Sequence, residues 1–318
     1  MTGSVKVHIV HAFTHNNAGG NPAGVVLDAD QYTAEQKLHI AKAVGLSETA
    51  FVSRSDSAVF KLEFFTPNRQ IAHCGHATVA TFSLLRALDM VGEGLSSKET
   101  IDGNRDILIK ADMAFMQQKA PRFQPISADD HHDGNHDGNH DGNHDGNHDG
   151  NQCAAVYNRI LKSMGLSTQD LIPGQVPTIV NTGNSFLLIP INSRDHLAQI
   201  QAKQAEINAI SEEFDLIGFY PFTLEAQDTG HAASTRMFAP RYGIDEEAAT
   251  GMAAGPLACL LYSALQQAGP SLQIEQGYLM HPASPSLIHV DLDIRQGEIH
   301  SLMAGGRARV EKTLNIDL

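Results

Sequence analysis

The sequence has no run of 18 apolar residues and no apolar leader ending in a small-residue cleavage site. The first absence argues against a membrane-spanning helix, the second against a secretory signal. Cysteine is scarce as well. Cys74, Cys153 and Cys259 are odd in number, widely spaced and form no CxxC, so no disulfide framework is implied and a reducing, cytoplasmic setting is expected. Basic residues are few: 22 Lys+Arg face 36 Asp+Glu, a formal charge of −14. An acidic surface repels phosphate backbones and anionic lipids, so neither a nucleic-acid nor a membrane partner is expected. No Gly-x-Gly-x-x-Gly follows a strand, and neither a Walker A loop nor an HExxH pair occurs. The expectation is therefore an activity with no cofactor, no nucleotide and no built-in metal.

What is present is 318 residues, 42% of them hydrophobic, enough for a sizeable core or two modest domains. Residues 132–151 are five tandem copies of His-Asp-Gly-Asn. This tract can bury no apolar area and reads as a tolerant surface loop; five histidines could collect Zn or Ni ions but lack the second shell of a folded metal site. It divides the chain.

Before the loop, alternating stretches predict strands near 6–13, 23–29, 50–54, 58–66, 99–103 and 106–117, with helices over 33–44 and 77–91. After it come helices over 153–164, 195–210 and 253–267. Strands are predicted near 177–183, 185–191, 216–222, 233–239, 287–294, 298–306 and 308–318. Strand-rich halves with a few helices indicate an α+β fold rather than alternating βαβ units.

The two halves carry matching signatures. Phe64-Phe65-Thr66-Pro67 leads to Cys74-Gly75-His76-Ala77 and an apolar helix; Met237-Phe238-Ala239-Pro240 leads to Thr250-Gly251-Met252-Ala253 and another. Such a repeat reads as a duplication. Two units facing each other would set two helix N-termini across one cleft, where free N–H groups favour a substrate carboxylate.

Within that frame Glu48, in Leu46-Ser47-Glu48-Thr49-Ala50-Phe51-Val52, is a carboxylate among apolar neighbours, a setting that would raise its pKa toward acid/base use. His76 shares the first helix start with Cys74 and Gly75. Cys74 is either a thiolate favoured by the helix dipole or a small buried residue. Asp245-Glu246-Glu247 precede the second turn, where acids complement a helix start and one could be positioned for chemistry.

These segments together resemble the PhzF family of phenazine-biosynthesis-like proteins, within the diaminopimelate-epimerase fold. The resemblance rests on Gly20-Asn21-Pro22-Ala23-Gly24, Leu46-Ser47-Glu48, Phe65-Thr66-Pro67 with Cys74-Gly75-His76-Ala77-Thr78, Asn181-Thr182-Gly183, Arg236-Met237-Phe238-Ala239-Pro240 and Glu246-Glu247-Ala248-Ala249-Thr250-Gly251. It implies two pseudo-symmetric domains, each a curved antiparallel sheet around a central helix, with the active site between them. The N-terminal domain would span 1–125, completed by the C-terminal strand at about 304–318. The loop would span 126–152 and the second domain 153–303. A homodimer is usual in such a family.

The implied activity is cofactor-independent isomerisation of a small carboxylate, with Glu48 moving the proton and Asn21, Cys74, Gly75, His76, Glu247, Thr250 and Gly251 holding the substrate. Three positions depart from the family pattern. Glu247 stands where Asp is usual, Met252 where Ser or Asn is common, and Gln70 where Glu is common. The first two would shape a cleft for something other than a phenazine precursor. Two further readings stay open: an amino-acid racemase, epimerase or dehydratase using Cys74 and Thr250, and a non-catalytic binding protein on the same fold.

Overall fold

The computed structural model describes residues 3–127, 148–265 and 269–318. Most of the expected repeat loop lies outside those residues. Its last copy does not: His148 begins a helix that runs to Ser163, so the helix starts before the predicted 153.

In the first half the strands are β1 Ser4–Ala12, β2 Asn21–Val26, β3 Thr49–Ser53, β4 Phe60–Phe65, β5 Gln70–Ile71, β6 Gly94–Thr100, β7 Gly103–Lys110, β8 Met113–Lys119 and β9 Arg122–Pro125. The second half carries β10 Thr178–Asn181, β11 Ser185–Pro190, β12 Gly218–Thr223, β13 Ala233–Thr235, β14 Ser271–Gln276, β15 Ser286–Arg295 and β16 Glu298–Asp317. The helices are α1 Ala34–Val44, α2 Gly75–Ala87, α3 His148–Ser163, α4 Arg194–Gln199, α5 Gln204–Glu213 and α6 Gly251–Ser263.

The fold is α+β, as the element pattern implies, and its two halves repeat one plan. The sheets are mostly antiparallel, but each half holds two parallel pairs at equivalent places: β2 with β3 and β4 with β6, then β11 with β12 and β13 with β14. Parallel neighbours need a crossover. Helix α1 makes the first crossover and α4–α5 its counterpart; α2 makes the second and α6 its counterpart. The duplication seen in the sequence is thus a duplication of topology.

In the first half the circuit β1-β2-β3-β4-β6-β7-β8-β16 closes on itself, because β16 pairs with both β8 and β1. Helix α2 fills the interior, with ten of its residues buried. Helix α6 fills the other half in the same way. Each buried Val, Leu or Phe removed from water contributes about 1.5–3 kcal/mol, so these helices are held by burial rather than by propensity. Peripheral α1 is defined locally instead: Thr33 and Gln36 form a capping box, and Gly45 closes the other end at φ 71°.

Several local expectations change. The stretch 106–117 is not one strand but a hairpin, β7–β8, turning at Ala111 with φ 56°. Ala-Asp carries no glycine or proline to announce the turn, and ladder pairing on both sides offsets the strained residue. The helix expected over 195–210 breaks into α4 and α5, because Gln201 and Lys203 donate their N–H groups to Met164 and Ser163 at the end of α3.

Conversely, 298–317 is one strand where two were expected. Gly305 lies within it not as a turn but because a Cβ there would stand 2.1 Å from the Ala114 carbonyl oxygen. Strand β14 has no counterpart in the sequence reading. Strand β9, grouped there with the first half, pairs with β10 of the second, Arg122 opposite Asn181.

Candidate active site

The starts of α2 and α6 face each other. A Cβ on Gly75 would stand 3.2 Å from Met252 Cγ, so the two first turns are in contact distance. Neither helix start is capped by a side chain, although Cys74 and Thr250 occupy the equivalent cap positions. Their leading N–H groups are left for a ligand. A cavity of about 240 Å³ lies between them, lined by Glu48, Cys74, Gly75, His76, Glu247, Thr250, Gly251 and Met252 among others. A larger cavity of about 450 Å³ adjoins it, sharing His73, Asp102, Asn184 and Met252.

Strand β3 begins one residue after Glu48, and its parallel partner β2 begins at Asn21, so both side chains reach the cleft from adjacent strand ends. His76, in the first turn of α2, sits between two carboxylates. Its Nε2 is 3.2 Å from Glu48 Oε2 and its Nδ1 3.3 Å from Glu247 Oε1. The Glu48 contact is off the hydrogen-bonding axis, leaving Glu48 Oε2 and His76 Nε2 without an aligned partner although both are buried.

On the opposite wall, Asn21 Nδ2 donates to Glu247 Oε1 at 3.0 Å and to the Ala249 carbonyl at 2.9 Å. The Thr250 hydroxyl donates to the other Glu247 oxygen. All eight residues expected at the site therefore meet in one place. The three consecutive acids part company. Glu246 makes a bidentate pair with Arg236, both contacts 2.8 Å, and Asp245 is used through its carbonyl by Gln204; only Glu247 turns into the cleft.

The electrostatics correct one expectation. Burial alone would raise the Glu48 carboxyl, as its apolar sequence neighbours suggest. The positive charge of His76, 3.2 Å away, outweighs burial, and the group lies below its ordinary value. Burial would likewise push His76 down, but the carboxylates of Glu48 and Glu247, 3.2 and 3.3 Å from its two ring nitrogens, hold it well above its ordinary value. The Cys74 thiol, 3.6 Å from His76 Nδ1, is itself pushed up by burial and stays neutral near pH 7. The thiolate alternative thus loses its electrostatic support. The two carboxylates are what stabilise the imidazolium. Glu48, Cys74 and His76 also offer donor atoms within 4.8 Å of one another, a set whose chemistry could accept a divalent metal.

Two contributors were not visible in the sequence. Gln276, at the end of the unforeseen β14, clamps the second helix start. Its amide nitrogen donates to the Glu247 carbonyl at 2.7 Å and the Thr250 hydroxyl at 3.2 Å, while its oxygen accepts from the Thr250 N–H at 3.0 Å and the Tyr220 hydroxyl at 2.9 Å. Lys98 is fully buried beneath the first helix start and donates to the Thr78 hydroxyl at 2.6 Å. Burial lowers its pKa to about 7. Neither residue lies in a recognisable motif; burial of a polar residue is a tertiary fact.

The sequence profile of the PhzC-PhzF family, described as "Phenazine biosynthesis-like protein", matches residues 10–312. A curated protein of Escherichia coli K12 named "Uncharacterized isomerase YddE" is 27% identical over 309 residues, covering 95% of this chain and 95% of its own. "Trans-2,3-dihydro-3-hydroxyanthranilate isomerase" of Pseudomonas chlororaphis is 26% identical over 308 residues, 94% of each chain. The crystal structure of a Bacillus anthracis phenazine biosynthesis protein of the PhzF family superposes with a TM-score of 0.81 at 24% identity, over 99% of both chains.

Proposed function

The chain belongs to the PhzC-PhzF family of phenazine biosynthesis-like proteins, and from that premise we propose that it is an isomerase that moves a proton on a small carboxylate, with Glu48 as acid and base. The observation that carries this reading is the line Glu48–His76–Glu247 between two uncapped helix starts.

In the proposed reaction the helix starts at Gly75 and Gly251 bind the substrate carboxylate. Glu48, ionised, takes a proton from a carbon made acidic by conjugation. The double bond shifts, and the same proton or one exchanged with solvent returns to another carbon of the system. Bonds to hydrogen broken and formed balance, so no oxidant or reductant enters. The imidazolium of His76, flanked by Glu247, stabilises the negative charge that develops. Asn21, Thr250 and Gln276 hold Glu247, and so His76, in register. Closure of a dry cleft around this set supplies positioning and a low-dielectric setting. No group beyond these side chains is required.

Glu247 and Met252 both line the inner cavity. The Met252 thioether takes up space near Gly75 and the longer acid reaches His76, so a ligand smaller or less polar than the dihydro-hydroxyanthranilate of the Pseudomonas relative is proposed. A thiol-based racemase or dehydratase is disfavoured by the raised pKa of Cys74. The deciding experiment is a solvent-deuterium screen over cyclic and amino carboxylates. Deuterium entering substrate carbon with wild type and with Cys74→Ala, but not with Glu48→Gln, supports the reading. Loss with Cys74→Ala and retention with Glu48→Gln transfers the chemistry to the thiol. Neither deuterium exchange nor isomerised product with any candidate leaves a binding protein.

A further inference from the structure

Away from the cleft, His15, Asp228 and His231 converge although most of the chain separates the first from the other two. His15 and Ala18 exchange both backbone hydrogen bonds, 3.1 and 2.9 Å, around Asn16 and Asn17. Those two residues have φ of 50° and 61°, a tight turn that asparagine tolerates and that fixes where His15 points. Asp228 and His231 stand at the ends of one turn, closed by the His231 N–H donating to the Asp228 carbonyl at 3.0 Å.

That turn is anchored on Glu275, a fully buried carboxylate of β14. Glu275 accepts from the N–H groups of Gln227 and Asp228 at 2.8 and 2.9 Å, lies 2.7 Å from His231 Nδ1, and has Arg194 Nη1 at 3.5 Å.

We propose that His15, Asp228 and His231 form a binding site for a divalent transition-metal ion of the zinc class. Donor atoms of the three side chains lie within 4.8 Å of one another. His15 Nε2 is 3.9 Å from Asp228 Oδ2, against about 3.3 Å between two ligands each about 2 Å from a tetrahedral zinc. The half-exposed Asp228 side chain can close that difference by rotation. Two imidazoles and a carboxylate suit zinc and its neighbours rather than calcium or magnesium.

The supporting shell is the stronger argument. The Tyr278 hydroxyl bonds His15 Nδ1, which leaves its Nε2 for a ligand. On His231 the nitrogen 3.8 Å from Asp228 Oδ2 is Nδ1, the one the Glu275 carboxylate bonds, so Nε2 of that ring ligates once Asp228 rotates toward it. Ligating histidines are oriented in this way by a carboxylate or hydroxyl on the other nitrogen. The buried charge of Glu275 needs only the two N–H groups, His231 and Arg194. It does not explain why a second histidine and a second carboxylate are brought to the same point.

Both imidazoles line a cavity of about 420 Å³ that shares no lining residue with the inner cavity of the candidate active site, and it provides a route for the ion. The ion would tie the turn that leads into Asn21 to the second half of the molecule.

The test uses the full-length protein, stripped with EDTA and titrated with ZnCl₂ against a chromophoric chelator, with thermal melts in parallel. Wild type is expected to hold a tight equivalent that raises the melting temperature. Asp228→Asn and His15→Ala each lose one equivalent and the zinc-dependent rise, while their melts in EDTA match wild type. Tyr278→Phe keeps the equivalent but binds it about 10- to 100-fold more weakly, the usual effect of losing an outer partner. Cys74→Ala retains it, which separates this site from the Glu48, Cys74 and His76 set. Ions held only by the His-Asp-Gly-Asn repeat would leave Asp228→Asn and His15→Ala binding as wild type does. That result, loss confined to Cys74→Ala, or the absence of a tight equivalent in wild type would each overturn the proposal.

Discussion

Replacing Glu48 by Gln keeps the shape of the side chain and removes only its charge and its ability to carry a proton. The carboxylate stands 3.2 Å from His76. At an effective dielectric constant of about 20, two unit charges at that distance attract by roughly 5 kcal/mol, from which the cost of burying both must be subtracted. Glu247 remains 3.3 Å from the other ring nitrogen, so the imidazolium is not left uncompensated. The stability loss should therefore fall below the about 3–5 kcal/mol seen when a buried charge loses its only partner.

Catalysis has no such reserve. A general base contributes about 10²- to 10⁴-fold, or roughly 3–5 kcal/mol of barrier. The assay is deuterium wash-in followed by proton NMR, with the imidazole of His76 titrated in the same samples. Exchange should fall at least about 100-fold and the His76 pKa should drop. The pH dependence of stability has a fixed sign. Glu48 is depressed in the folded state, so its contribution is present above the unfolded value of about 4.3 and disappears as pH falls through the folded one. The gap in melting temperature between wild type and variant should thus be widest near neutrality and close in acid. Exchange within about tenfold of wild type would refute the assignment of Glu48 as the base.

The other predictions concern the walls and the frame. Glu247→Asp with Met252→Ser should improve turnover of trans-2,3-dihydro-3-hydroxyanthranilate more than the two single changes combined, since neighbours in one pocket are seldom additive; efficient wild-type turnover would contradict it. Lys98 titrates near 7 when folded and near 10.5 when unfolded, so the unfolded chain holds the extra proton in between and stability should rise with pH across that window. Lys98→Met should flatten the rise, by on the order of 5 kcal/mol at most; parallel curves for both proteins would count against the buried lysine. Gly305→Ala should cost about 3 kcal/mol or more in chemical denaturation, because the new methyl would meet the Ala114 carbonyl oxygen at 2.1 Å. A loss below about 1 kcal/mol would show that the two strands can separate at no great cost.

Much of the site was legible because its parts lie in short, unusual strings. Cys74-Gly75-His76 and Thr250-Gly251-Met252, each leading into an apolar helix, announced both helix starts, and the structure sets them face to face. Glu48 drew notice through its apolar neighbours and then its motif, and Asn21 only through its motif. The apolar neighbours of Glu48 suggested a raised pKa, but sequence neighbours say little about what the carboxylate itself meets, which is the charge of His76. The choice of Glu247 among three acids likewise depended on Arg236 capturing Glu246.

By itself the sequence determined the α+β class, the duplication and the family, because hydrophobic period, turn residues and motif strings are local properties of a chain. Only the tertiary structure decided which strands run parallel, that Gly305 sits inside a shared strand, that Gln276 and Lys98 serve the helix starts, and that His15 meets Asp228 and His231. Those facts are contacts between residues far apart in sequence. Their energies come from burial and from the satisfaction of buried polar groups, which exist only once the chain has closed on itself.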